Sequence, residues 1–420
     1  MNIYLAIDNV KQLLEFHNIF TEGQHKELIT NISELFQEYV KYNAIMMYSP
    51  DFDKNLTDYI YINIAKQIIH LYCNNSQYRV SKKLSLLIKR TMISLYSKVI
   101  PRRSYSKSFI RNVSFNLAHL TEKIKILQDL PQPTQRTEEW YQFRHNLLTA
   151  SSIWKVFGTQ SCINQLIYEK CQPPVVHKQA SIDSPLHWGQ KYEPVSVELY
   201  TKLYSTNVAD FGCIKHPLYH FIGASPDGIN VSVNNPRYGR MLEIKNIVNR
   251  IINGIPKFEY WIQMQLQMET CDLNECDFLE TKFIEYDGYN TFIQDGNFTH
   301  TTDGKQKGIM ILFNYNGRLH YEYAPLQISE ADYETWEEDI LRKNEDGEWI
   351  RTIYWKLEQY SNILVLRNKE WFEAAIPKIK EVWDTILKER IEGHEHRGPK
   401  RRKSAGEFGA TKCLIKVEKL

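Results

Sequence analysis

The sequence predicts a mixed α/β or α+β protein, with a core of short strands and helices flanked by helices on both sides. Three observations carry that prediction. Apolar residues recur at helical spacing through the first 130 or so residues, from Arg136 onward short alternating strands mix with helices, and helical periodicity returns after Ser329. At 420 residues there is room for two or three domains, and a hydrophobic content of 43% excludes a wholly disordered chain.

Each segment has its own signal. Helices are expected in IDNVKQLLEFHNIF (7–20), ITNISELFQEYV (29–40) and YIYINIAKQIIHLY (59–72), whose apolar residues fall three and four apart. LPQPTQ (130–135) reads as a linker, because proline disfavours helix in the residue before it. Strands are expected in FIGA (221–224), INVSV (229–233), MLEIKNI (241–247) and KGIMILFNY (307–315). Beyond them, Ser329 with Asp332 three residues on marks the start of an acidic, solvated helix, and WFEAAIPKIKEVWDTILKE (371–389) is a second helix. The expected organisation is a basic helical domain over 1–130, a core over 136–325, a C-terminal helical part over 326–392 packed on the core, and a basic flexible tail over 393–420.

The formal net charge of +2 hides an asymmetry. Residues 59–121 contain no Asp or Glu but carry Lys66, Arg79, Lys82, Lys83, Lys89, Arg90, Lys98, Arg102, Arg103, Lys107 and Arg111. An acid-free basic stretch is the footprint expected of a protein that holds a polyanion such as nucleic acid, with Lys82, Lys83, Lys89, Arg90, Arg102 and Arg103 as candidate contacts, or of a solvated helix face whose partners lie elsewhere in the fold. A second basic run, RGPKRRK (397–403), reads as a solvated tail. No stretch reaches the roughly 18 apolar residues of a membrane helix. The N-terminus lacks the basic region of a signal peptide and the cysteine number is odd, so a reducing compartment, the cytoplasm, is expected rather than secretion.

The informative stretch is GASPDGINVSVNNPRYGRMLEIKN (223–246). It reads as a hairpin turning near Pro236, which places Asp227 opposite about residue 245. Strand period puts Glu243 and Lys245 on one face and Leu242 and Ile244 on the other. Asp227, Glu243 and Lys245 are therefore expected to converge, two carboxylates and an amine that suit a hard cation such as Mg²⁺ or Mn²⁺. An ordinary D-G turn beside a solvated strand face would read the same way. Upstream, Trp140 and Arg144 precede Thr149 and Ser151 at a helix start, a natural phosphate seat or a plain helix cap. Glu193 falls at a helix start after Gly189, and Gln263 and Gln267 lie one turn apart on one helix face.

The order W-x3-R-x4-T-A-S, G-x3-E-P, S-P-D-G, L-E-I-K, Y-x2-Q-x-Q resembles that of the lambda-type exonucleases, and the chain resembles the YqaJ-like viral recombinase family of the PD-(D/E)XK nuclease superfamily, in the version carried by giant DNA viruses. The resemblance covers about residues 136–290. It implies a restriction-endonuclease-like core built on a central mixed sheet. It also implies an exonuclease that hydrolyses double-stranded DNA from 5′ to 3′ with Mg²⁺ or Mn²⁺, two ions per site, in recombination, repair or viral DNA processing. Asp227, Glu243, Glu193 and the Ile244 carbonyl would hold metal, Lys245 and Gln263 would act on the attacking water, and Arg144 and Ser151, with Thr149 and Trp140 beside them, would grip the 5′ phosphate. The family further suggests a single-strand annealing protein as partner and self-association, and for a viral protein the host cytoplasm, virus factory or virion as location. An endonuclease of the same superfamily and a non-catalytic DNA-binding scaffold are the other readings. An iron–sulfur variant is excluded, since only Cys271 and Cys276 lie where its cysteines would have to be.

Overall fold

The computed structural model describes residues 21–71, 77–106, 116–133, 137–174 and 184–399, with the side chains of 68–71 and 77–83 outside that description. The helical pattern at 7–20, Lys107, Arg111 and the tail residues 400–403 lie outside the described residues, as do the side chains of Arg79, Lys82 and Lys83.

Four helices lead into the core: α1 (Glu22–Asn43), α2 (Phe52–Leu71), α3 (Gln77–Lys98) and α4 (Leu117–Asp129). Helix α1 opens with a capping box, Thr21 and Gln24 each bonding the other's backbone N–H, and buries Leu28, Ile32, Phe36 and Val40 along one face. That face does not close on a separate core. Phe36, Ile60 and Met92 belong to the same buried apolar cluster as Trp261, Met264 and Trp371 farther along the chain. The linker is pinned as well, with Gln132 Nε2 donating to the Leu127 carbonyl at 2.7 Å.

Next come α5 (Glu138–His145), β1 (Leu148–Thr149), the single turn α6 (Ala150–Ile153), α7 (Gln160–Cys171), α8 (Pro185–Tyr204), β2 (Val208–Ala209), β3 (Ile214–Lys215), β4 (Ile222–Ala224), β5 (Gly228–Asn230) and β6 (Met241–Asn246). They are followed by α9 (Phe258–Cys271), β7 (Glu275–Glu285), α10 (Tyr289–Gln294), β8 (Lys307–Tyr315), β9 (Arg318–Tyr323), α11 (Glu330–Lys343), β10 (Glu348–Leu366) and α12 (Lys369–Glu392). The described strands form a seven-stranded sheet ordered β2-β5-β6-β7-β10-β8-β9 and a small sheet β1-β4-β3. In the larger sheet β6 and β7 are parallel and the remaining neighbours antiparallel, so the expected mixed sheet is present.

Strand period decides what each face of β6 meets. Leu242 and Ile244 pack with Tyr200 of α8. Glu243 and Lys245 point the opposite way, toward α9, where Gln267 and Tyr260 receive them.

Four sequence expectations need correction. The strand expected at 229–233 ends at Asn230, and residues 231–240 form the turn. Gly228 pairs with Leu242, a register that continues to Asp227 opposite Glu243 rather than about 245; a shift of two leaves every side chain on its expected face. The region after Ser329 is not helical throughout, because the 19-residue strand β10 lies between α11 and α12 and pairs with both β7 and β8. The sheet therefore runs well past the 325 boundary expected for the core. Finally, Glu193 is not at a helix start: α8 begins at Pro185, capped by Ser184, and Gly189 lies inside it. The cap expected at Ser329 is present, its Oγ accepting from Asp332 N at 3.1 Å.

Candidate active site

The site is built on the hairpin between β5 and β6. Glu243 is fully buried, and both its carboxylate oxygens are engaged: Lys245 Nζ donates to Oε1, and Gln267 Nε2 donates to Oε2 at 2.7 Å. Gln267 Nε2 also donates to the Ser225 carbonyl at 3.1 Å. Both partners of that nitrogen accept only, so the amide orientation is set by chemistry, and it leaves Gln267 Oε1 buried without a partner. Asp227 lies at the mouth of the hairpin, where its Oδ2 accepts from Ile244 N at 2.7 Å. Asp227, Glu243 and Lys245 thus converge as the sequence predicts.

The electrostatics follow from that crowding. Desolvation raises the Asp227 carboxyl well above the usual carboxylate range, Glu243 and then Glu193 raise it further, and Lys245 opposes them. Burial works against the charge of Lys245, but Glu243 and Asp227 outweigh it and hold the ammonium above its ordinary range. The Lys245 Nζ also lies 5.1 Å from the centre of the Tyr260 ring. Asp227 and Glu243 share the single Lys245 ammonium, which leaves an anionic surplus at a place where buried charge is costly. Oxygen donors with such a surplus fit a hard divalent cation. As the side chains lie, no group of three His, Cys, Asp or Glu among the described residues encloses an ion, and Lys245 occupies one Glu243 oxygen.

A second cluster adjoins through the same loop. The Arg144 guanidinium donates to the Ser225 hydroxyl at 3.3 Å and stacks 4.3 Å from the centre of the Trp140 ring. Burial lowers the Arg144 pKa, and the neighbouring Cys213 thiol works the other way. Strand β1 lies parallel to β4, with Thr149 beside Gly223, which sets the Thr149 and Ser151 hydroxyls next to this loop. Thr149 Oγ1 lies 3.4 Å from Ser151 Oγ and 3.0 Å from Ser152 Oγ. The helix expected to open at these residues is one turn long, and the hydroxyls bond one another rather than capping it. Gly223 permits this approach, since a Cβ there would meet Leu147 Cδ1 at 2.7 Å.

Residues 139–274 match the YqaJ-like viral recombinase domain. Over 350 residues the chain is also 27% identical to an uncharacterized protein of Acanthamoeba polyphaga mimivirus, a match covering 74% of this chain and 62% of that relative's length. Among solved structures it is similar to an alkaline exonuclease from Laribacter hongkongensis, with 20% identity, 62% of this chain and 95% of the other covered, and a TM-score of 0.35. A phage-related exonuclease from Haemophilus somnus is similar over 60% of this chain and 96% of its own, with 12% identity and a TM-score of 0.32.

Within and around the YqaJ-like domain, the structure separates the candidate residues. Asp227, Glu243, Lys245 and the neighbouring Glu193 gather at one site, and Arg144, Trp140, Thr149 and Ser151 at the adjoining one. Gln263, by contrast, has no side-chain hydrogen bond among the described residues; Gln267, one turn on, reaches Glu243. Ser225 is the second residue singled out here rather than from sequence. Its hydroxyl serves Arg144 and its carbonyl serves Gln267, so it joins the two clusters. The S-P-D-G motif contained it, but only the fold shows what its hydroxyl faces.

Of the basic candidates, Arg103 needs correction. It is buried, donates from Nε to the Tyr48 carbonyl at 2.9 Å and from Nη2 to the Pro256 carbonyl at 2.6 Å, and ties the N-terminal helices to the core. Arg102 is half-exposed, 3.8 Å from Asp53, and Lys89 is exposed. Arg90 is half-buried on the same helix. No helix among the described residues is long and apolar enough to cross a membrane.

Proposed function

We propose that this protein is a metal-dependent deoxyribonuclease that digests double-stranded DNA from the 5′ end. The observation that carries the reading is the Ser225–Asp227 loop, which joins an acid–lysine cluster on one side to an arginine–hydroxyl cluster on the other. The first is suited to cutting a phosphodiester and the second to holding a terminal phosphate, so their spacing would fix which bond is presented.

Asp227 and Glu243, with Glu193 and the Ile244 carbonyl, would hold Mg²⁺ or Mn²⁺, two ions when fully loaded. Such ions activate water and relieve charge at the attacking and leaving oxygens of the phosphodiester. Lys245 is held charged, so it donates rather than accepts: it orients the attacking water and stabilises charge developing on the phosphoryl oxygens. Gln267 fixes the Glu243 carboxylate and offers its unpartnered Oε1 to that water or to Lys245. Arg144 binds the terminal phosphate, with Ser225, Ser151 and Thr149 supplying hydroxyl donors and Trp140 a flat apolar wall. These contacts carry no base information, so digestion is expected to be sequence-tolerant. Work alongside a single-strand annealing protein, self-association and a role in viral recombination are consistent with this activity.

The test is Mg²⁺-dependent digestion of matched linear duplexes bearing 5′-phosphate or 5′-hydroxyl ends, with closed circles alongside. Mononucleotides released from phosphorylated linear ends, with circles spared, support the reading. Nicking or cutting of circles would favour an endonuclease, and DNA binding without cleavage at any divalent ion concentration a scaffold.

A further inference from the structure

Two further cations, Lys170 and Arg390, gather behind the arginine–hydroxyl cluster. Lys170, near the end of α7, donates from Nζ to the Arg144 carbonyl at 2.6 Å. Arg390, near the end of α12, donates from Nε to the Lys170 carbonyl at 2.9 Å and from Nη2 to the His145 carbonyl at 2.9 Å. The last carbonyls of α5 and α7 are thus capped by cations from two other elements, a favourable arrangement at helix C-termini. Yet among the described residues neither Arg144, Lys170 nor Arg390 has a carboxylate within ion-pair distance, while Glu169 beside Lys170 pairs with Lys155 at 2.7 Å. All three are half-buried.

Resting on the reading of Arg144 as the 5′-phosphate group, we propose that Lys170 is a positioning and charge-supplying residue of that pocket, which makes it prefer a terminal phosphate monoester to an internal diester or a hydroxyl end. Arg390 is the brace that holds Lys170 and the end of α5 in register.

The chemistry favours a dianion. An internal phosphodiester carries one negative charge, whereas a terminal monoester carries close to two above about pH 6. A pocket with uncompensated cations gains more from the second charge than a lone arginine does. Lys170 faces Arg144 and His145 from α5, Arg390 from α12, Cys213 from the loop before β3 and Glu169 on its own helix. Desolvation, with Arg144 and Arg390, brings its pKa down to about 7, against smaller opposing effects of Cys213 and Glu169. The free pocket therefore loses a charge as pH rises through 7, and an arriving dianion must restore that proton. Preference for phosphorylated ends should decline with rising pH.

The experiment is the ratio of kcat/KM on 5′-phosphorylated over 5′-hydroxyl duplexes between pH 6.5 and 9, for the wild type, Lys170→Gln, Lys170→Arg and Arg144→Ala. The wild-type ratio is expected to fall by roughly three- to tenfold over that range. Lys170→Gln should give a low, flat ratio, and Lys170→Arg, which stays charged, a high, flat one. A purely structural lysine would lower both substrates together and leave the ratio unmoved, and that result overturns the proposal. If Arg144→Ala is selective for phosphorylated ends while Lys170→Gln is not, only the role of Lys170 falls. If Arg144→Ala affects both ends equally, the 5′-phosphate reading falls and takes this proposal with it. Should Lys170→Gln fail to fold, Lys170→Arg decides alone: a decline with pH like that of the wild type refutes the assignment.

Discussion

At the scale of single residues, the site depends on which charges are allowed to remain unbalanced. Asp227 crowds a Glu243 that already holds Lys245, and the resulting surplus is what a divalent ion would relieve. Asp227→Asn keeps the shape and removes a charge, so Mg²⁺-dependent digestion should fall to background while the melting temperature holds or rises. Lys245→Ala should cost about 10²–10³-fold in kcat, the usual loss when one charge-stabilising donor is deleted. Gln267→Leu removes the amide that orients Glu243 and ties it to the Ser225 carbonyl, and about 10–100-fold is expected, read as rate against Mg²⁺ concentration. Near-normal turnover in Asp227→Asn would end the nuclease reading. The convergence of Asp227, Glu243 and Lys245 was legible because strand period allows only one arrangement of alternate residues. Gln267 was not legible: Gln263 and Gln267 share a helix face, and only the depth of α9 against β6 decides which one reaches the carboxylate.

At the scale of elements, the hairpin carrying Asp227 is held by a close approach that composition alone does not reveal. Gly228 has the ordinary extended backbone of a strand, and its lack of a side chain matters because a Cβ would meet Val208 Cγ1 of β2 at 2.1 Å. Gly228→Ala should therefore destabilise by about 1–3 kcal/mol through overpacking, and the β-branched Val208 has little rotamer freedom with which to yield. Adding Val208→Ala should recover part of that loss. A double mutant no more stable than Gly228→Ala would show that the strain lies elsewhere. The same scale explains the largest misreading of the chain. In β10, Ile353, Trp355 and Leu357 alternate inward, but the pairing register shifts between Leu357 and Gln359, and Ile363–Leu366 is then buried on every residue. A strand whose period breaks in the middle, between two helices with strong periodicity, gives no clean signal of two-residue alternation. The uninterrupted strand β8 was readable to its ends.

At the scale of the whole molecule, the question is what the acid-free N-terminal stretch does once its buried members are set aside. Arg103 is spent on the fold: two of its donors satisfy the carbonyls of Tyr48 and Pro256, and its own carbonyl accepts from Trp261 Nε1 at 2.8 Å. Sequence showed the charge but not this burial, because the contacts run from residue 103 to 256 and 261 and only the tertiary fold brings them together. Lys89 and Arg102 remain toward solvent, and we propose that they steer a DNA backbone together with Lys82, Lys83 and Arg90. The two roles separate cleanly by experiment. Replacing Lys82, Lys83, Lys89 and Arg90 with Gln should leave the melting temperature near the wild-type value and reduce the slope of log K for DNA against log salt by about 1 for each phosphate that is no longer neutralised. Arg103→Met should do the reverse: it strands the buried Pro256 carbonyl, at about 1–3 kcal/mol, and the part-buried Tyr48 carbonyl, lowering the melting temperature while the salt slope of the folded protein stays the same. If the fourfold substitution leaves the slope unchanged, the basic helices are a solvated face and the DNA-steering reading of this stretch falls.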